Sequence, residues 1–123
     1  MEKIQTIIPV LRILDEAKAR EFYVDWLGFS IDWEHRFGEN FPLYCQISKD
    51  NIVLHLSEHY GDCIPGARVR IDVTGIENYQ QQLLEKDYRY YKPGLEKMDW
   101  GRIEMSLTDP FGNHIIFTEP VKK

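Results

Sequence analysis

One order of elements runs twice along this 123-residue chain: a strand, a helix, then three strands. The first pass occupies about residues 4–60 and the second about 67–119, with only faint sequence similarity between them. A half of this size is too small to close a core alone. The two sheets must therefore join, either within one chain or between two chains. The reading is one α+β domain over residues 1–123, built from tandem βαβββ modules.

Periodicity gives the elements of the first pass. The apolar run Ile4 to Ile13 predicts a strand. Pro9, which has no N–H to give to a ladder, predicts an edge or a gap in pairing there. Asp15 is an N-cap for a helix whose apolar face is Ala19, Phe22, Tyr23, Trp26 and Leu27. Glu16 and Arg20 form an i,i+4 pair on its other side, and Gly28 is its stop. From Ile31 to Phe37 the chain alternates, with Ile31, Trp33, His35 and Phe37 on one face and Asp32, Glu34 and Arg36 on the other. Gly38 to Pro42 is a turn. Strands near Leu43–Ser48 and Ile52–Ser57 follow, joined at Lys49, Asp50 and Asn51.

A linker from Glu58 to Gly66 separates the passes. Val69, Ile71 and Val73 then alternate with Arg68, Arg70 and Asp72 as a strand. Thr74 and Glu77 read as a capping box for a helix with Ile76, Tyr79, Leu83 and Leu84 on its apolar face. A short strand is expected near Tyr88–Tyr91, then a loop from Lys92 to Gly101. Strands near Arg102–Leu107 and His114–Thr118 close the chain around the turn Thr108 to Asn113.

The net charge of −5 is spread along the chain, which opposes nucleic acid and anionic membrane surfaces as partners. Cys45 and Cys63 form no C-x-x-C pair and read as free thiols of a reducing compartment. The opening Met1-Glu2-Lys3-Ile4 lacks the apolar stretch of a secretory signal. No run approaches the ~20 apolar residues of a membrane span. The expectation is a cytoplasmic protein.

Three stretches carry a resemblance. They are P-V-L-R-I at Pro9–Ile13, E-F-Y-V-D-W-L-G-F at Glu21–Phe29, and D-W-G-R…L-T-D-P-F-G-N-H-I-I-F at Asp99–Phe117. Together with the duplicated module, they resemble the vicinal-oxygen-chelate, or glyoxalase, superfamily. The D-P-x-G-N turn is general to that superfamily, whereas the P-V-L start and the W-G-R triplet resemble its bleomycin-resistance group. The resemblance covers nearly the whole chain. It implies mixed sheets curled into cups, a homodimer, a drug groove at the dimer interface, and exchange of the N-terminal strand between subunits.

Catalytic members of the superfamily hold a divalent metal with four His or Glu side chains, two from each half. Carried over by motif, those positions fall on Ile8, His55, Arg68 and Ile116. Only His55 can ligate, and a cation beside Arg68 is repelled. His35, His59 and His114 stand on separate segments and read as structural or surface residues. The expectation is no metal, no cofactor and no catalytic residue.

Other chemistry finds no better footing. Alternation puts Cys45 with Leu43 and Ile47 toward the helices and His55 with Val53 and Ser57 toward the cup, so no Cys–His pair forms. No G-x-G-x-x-G or Walker pattern is present.

What remains is binding. Trp33 and Phe37 share a strand face, and Trp100 is a large indole in a loop. The resemblance implies that Trp100 and an aromatic of the second-strand region, matched by Phe37, stack on the drug's flat rings. Candidate ligand residues are Trp33, Phe37, His55, Arg68, Arg70, Asp99 and Trp100, with Asp62 and Glu96 as further rim carboxylates for a cationic tail. Arg68 and Arg70 depart from the apolar strand of the resistance group. They suit either an anionic or mixed-charge ligand, or an internal network with Asp72 and nearby acids. Three functions stay open: a metal-free protein that sequesters a flat cationic antibiotic, a metal-dependent lyase, dioxygenase or thiol transferase, and a metabolite sensor.

Overall fold

The computed structural model describes residues 1–121. Its first half holds β1 (Val10–Arg12), α1 (Glu16–Ala19) running on as a π-helical stretch over Arg20–Trp26, β2 (Ser30–His35), β3 (Tyr44–Lys49) and β4 (Ile52–Ser57). The second half holds β5 (Arg68–Asp72), α2 (Ile76–Glu85), β6 (Glu96–Met98), β7 (Arg102–Thr108) and β8 (His114–Pro120). Each half makes a four-stranded mixed sheet, ordered β1-β4-β3-β2 and β5-β8-β7-β6. In each sheet the first strand runs parallel to the last, and the other pairs are antiparallel. The duplication read from the sequence is thus a duplication of topology.

One core serves both halves. Leu11, Ile47, Leu54 and Leu56 of the first sheet belong to the same buried cluster as Ile71, Met105, Ile115 and Phe117 of the second. The helix read from the aromatic spacing joins this cluster, with Phe22, Tyr23, Trp26 and Leu27 all buried. Burial of each such side chain contributes about 1.5–3 kcal/mol. Polar groups that must follow these rings inside find partners across the halves. The Trp26 indole donates to Leu83 O at 3.1 Å, and the Tyr79 hydroxyl donates to Leu27 O at 2.7 Å. Asp109 and Asn113, in the turn before β8, are buried as well. Asn113 donates to Arg12 O of the first half at 2.8 Å and accepts from the N–H groups of Gly66 and Ala67.

Several local expectations change. The first strand is confined to Val10–Arg12 rather than Ile4–Ile13. Pro9 gives no N–H to extend the ladder, and Ile4 and Ile7 stand exposed. Asp15 caps α1 through Lys18 N, but beyond the first turn the helix widens, with Leu27 N bonding to Phe22 O five residues back. The capping box at Thr74 and Glu77 does not form. The N-cap is Gly75 at φ 85°, and Glu119 of β8 takes the N–H groups of Gly75 and Ile76 at 3.0 Å each. No strand covers Tyr88–Tyr91. There the rings of Tyr88 and Tyr91 pack on Trp26 at 5.0 and 5.5 Å, and the strand β6 lies inside the expected loop.

Strand β2 also departs from simple alternation. A bulge shifts its register between Ile31 and Trp33, so Ile31 pairs with Ile47 and Trp33 pairs with Gln46. Ile31 consequently packs on the core while Trp33 stands on the opposite face. The single face read for Ile31, Trp33, His35 and Phe37 is split.

Candidate ligand-binding site

The sheet surfaces turned away from the core are open. Because Cys45, Ile47, Leu54 and Leu56 point into the core, their strand neighbours Tyr44, Gln46, His55 and Ser57 point out. Tyr44 Oη donates to His55 Nδ1 at 2.7 Å. His55 Nε2–H donates to Gln46 Oε1 at 3.0 Å. Gln46 Nε2 in turn donates to Asp32 at 3.1 Å, and Ser48 Oγ donates to the same carboxylate at 2.9 Å. A carboxylate, an amide, an imidazole and a phenol therefore form one polar row, and that row fixes the histidine tautomer.

An aromatic box stands over this row. Trp33 stacks on Tyr44 with centroids 6.0 Å apart and meets His55 edge-on at 5.3 Å. Phe37 meets His35 edge-on at 4.6 Å and His59 at 5.7 Å. Trp33, His35, Phe37, Tyr44, His59 and Asp62 line a cleft of about 420 Å³, within the ~300–1,000 Å³ of small-molecule sites. Trp33 is 42% exposed and Phe37 72%, so the cleft is open rather than packed. Its polar fittings are few. Asp62 accepts from Ser57 Oγ at 2.6 Å, and His59 Nε2 is buried with no hydrogen-bond partner among the described residues. Burial, and then the nearby Asp62 carboxylate, raise the Tyr44 hydroxyl above its ordinary value.

The open face of the second sheet is charged. Glu104 is buried there and pairs with the Arg70 guanidinium, while Thr118 Oγ1 donates to it at 3.0 Å. Burial acts to raise the Glu104 carboxyl. The hydrogen bonds from Arg70, Thr118 and Trp100, with the Arg70 charge, outweigh it and hold the group below its ordinary value. Arg102 bridges Asp72 at 2.7 Å and donates to Thr118 Oγ1 at 2.8 Å. Trp100 sits in the β6–β7 turn beside Gly101, whose φ is 82°, and is 64% exposed.

The seven candidate residues thus fall into two groups. Trp33, Phe37 and His55 share the first open face, and the cleft adds His35, Tyr44, His59 and Asp62 to them. Arg70 and Trp100 meet at Glu104 on the second. Asp99 adjoins Trp100, and neither Asp99 nor Arg68 makes a side-chain hydrogen bond or ion pair among the described residues. Tyr44 was readable from its alternation with Cys45. His59 lies in a linker and gave no signal.

The donor set does not fit a metal. Opposite His55 in the β1–β4 ladder stands Val10, and opposite Ile116 stands Arg70, so the register replaces the motif-based positions Ile8 and Arg68 by two residues that ligate no better. Both His55 nitrogens already have partners. Among the described residues no three His, Cys, Asp or Glu side chains converge as a metal site. Nor is any helix among them long and apolar enough to cross a membrane.

A family model described as glyoxalase superfamily protein matches residues 2–123. No curated protein sequence is significantly similar to the chain. Solved structures are similar in fold. A glyoxalase-related enzyme from Clostridium phytofermentans is 21% identical, with a TM-score of 0.75 and 98% of each chain covered. A bleomycin-binding protein from Streptomyces verticillus, complexed with copper(II)-bleomycin, is 24% identical, with a TM-score of 0.69 and 100% of each chain covered. An antibiotic binding protein from Streptomyces sp. CB03234 is 19% identical, with a TM-score of 0.66, covering 97% of this chain and 99% of that one. At such identities the likeness concerns the fold alone. The duplicated βαβββ topology and the family match over residues 2–123 together establish that the chain belongs to the glyoxalase superfamily, with the fold its bleomycin-binding and glyoxalase-related relatives share.

Proposed function

We propose that the protein binds a flat small molecule without transforming it and without a metal, sequestering an antibiotic. The observation that carries this reading is the cleft of Trp33, His35, Phe37, Tyr44 and His59. Exposed rings around a few fixed polar groups suit a planar ligand, and stacked aromatic pairs contribute about 0.5–1.5 kcal/mol beyond area burial. Trp100, with Asp99 beside it, supplies a second platform. Fold relatives that bind bleomycin or another antibiotic direct the choice of ligand class. The ligand lies between two copies of the chain, because a homodimer would cover the aromatic side chains that each open sheet face leaves in solvent. The donor set of the metal positions favours binding over a metal-dependent lyase, dioxygenase or transferase.

Titration with bleomycin-type and other flat antibiotics, followed by tryptophan fluorescence and melting temperature, tests the reading. Saturable quenching with the ligand recovered unchanged by mass spectrometry is expected. No response to any of them rejects antibiotic sequestration. A product, or a stoichiometric transition metal in protein purified without chelator, rejects binding alone. Analytical ultracentrifugation reads the dimer.

A further inference from the structure

Cross-strand register arranges the open face of the second sheet in rows. Arg68 lies opposite His114, which lies opposite Thr108. The next row is Arg70, Ile116 and Ser106, and the third is Asp72, Thr118 and Glu104. The third row's acids are already matched. Glu104 takes the Arg70 guanidinium and Asp72 takes Arg102. On β5 and β7 one cation is left over. Arg68 is exposed and has no ion pair or hydrogen bond among the described residues.

The neighbours of Arg68 complete a donor set. His114 Nδ1 is 3.3 Å from Thr108 Oγ1, which ties the ring to the row and leaves Nε2 unengaged by any hydrogen bond among the described residues. Val69 and Ile115, next along each strand, pack on or in the core, so Arg68 and His114 project from the same open side. A guanidinium fork beside an imidazole N–H, with a hydroxyl in the same row, matches an oxyanion's acceptors. No carboxylate stands within the row to occupy them.

We propose that Arg68, His114 and Thr108 form an anion subsite that takes a carboxylate, sulfate or phosphate group of the ligand. The inference rests on the reading that the open faces hold a small molecule, and it names a chemical feature of that molecule. Strand geometry adds a length. Arg68 is level with Thr108, and Trp100 lies beyond Arg102 at the other end of β7. The Trp100 indole nevertheless reaches back to Glu104, only four residues at ~3.3 Å each from the Thr108 level, so a ligand touching both spans of the order of 13 Å.

The test uses the ¹H–¹⁵N spectrum of the full chain, titrated with inorganic phosphate or acetate at ionic strength held constant with sodium chloride. Saturable shifts centred on residues 68, 108 and 114 are expected, and the tighter of the two anions shows whether the site prefers a tetrahedral or a planar group. Arg68→Gln, at an exposed position, weakens binding about tenfold or more, and His114→Gln weakens it by a smaller factor. Shifts that are diffuse, that chloride reproduces, or that survive Arg68→Gln overturn the subsite. If the flat antibiotics still quench tryptophan fluorescence in that case, the binding role stands and only the anionic feature falls. If neither anions nor antibiotics bind, both fall.

Discussion

The Tyr23 hydroxyl donates a 2.6 Å hydrogen bond to the Asp109 carboxylate, tying the helical segment of the first module to the turn that leads into the last strand of the second. Both groups are buried, and Asp109 also accepts from the backbone of Phe111 and Asn113 and from the Asn113 amide. Burial, and then the Asp109 charge, hold the Tyr23 phenol protonated to well above its ordinary value, so it remains a donor across any working pH. Tyr23→Phe removes one of several bonds to a buried carboxylate. A loss of about 1–3 kcal/mol is expected, read as a lower urea midpoint with an unchanged slope.

Glu104 predicts a pH effect with a definite sign. Its carboxyl lies below the ordinary 4.5 in the fold, so the ionised form favours folding. That contribution is complete above the ordinary value and is lost as pH falls from 4.5 toward the lowered one. Glu104→Gln should therefore flatten the decline in stability over this acid range. Urea midpoints measured from neutral pH downward check it; an unchanged slope would show that the Arg70 pair contributes nothing.

Gly75 isolates backbone strain. Its φ is +85°, and a Cβ built there would meet nothing within 4 Å. Gly75→Ala should cost about 1–2 kcal/mol from conformation alone, and Gly75→Asn less, because asparagine tolerates the left-handed region. Thermal or urea unfolding of the two variants gives the ranking.

Phe37→Ala and Trp100→Ala separate binding from stability. Both side chains are largely exposed, so each change should alter folding stability by about 0.5 kcal/mol or less. A tenfold or greater loss of ligand affinity with an unchanged melting temperature would mark them as binding residues. Equal losses of both would mark them as packing residues.

Local chemistry made some features of this chain legible and hid others. The aromatic spacing from Ala19 to Leu27 gave the buried helix face, although not its wider π-helical turn. Alternation correctly separated Cys45 from His55. It failed at Asp32, where a bulge sends Ile31 and Trp33 to opposite faces, because register is set by the partner strand rather than by the strand's own pattern. The capping box failed similarly. Glu119, more than forty residues away in sequence, takes the Gly75 and Ile76 N–H groups, and the helix starts one residue later, at a Gly75 N-cap instead of Thr74.

The sequence by itself determined the duplicated topology and the family, since these follow from periodicity and residue type. Tertiary structure alone decided which side chains work together. His59, read as a structural or surface residue of the linker, meets Phe37 at the cleft because the segment after β4 is brought to the sheet face of β2. Arg70 pairs with Glu104 while Arg68 makes no ion pair among the described residues, a distinction set by ladder register across strands far apart in sequence. Pairing of that kind depends on distance in space, and local sequence carries no record of it.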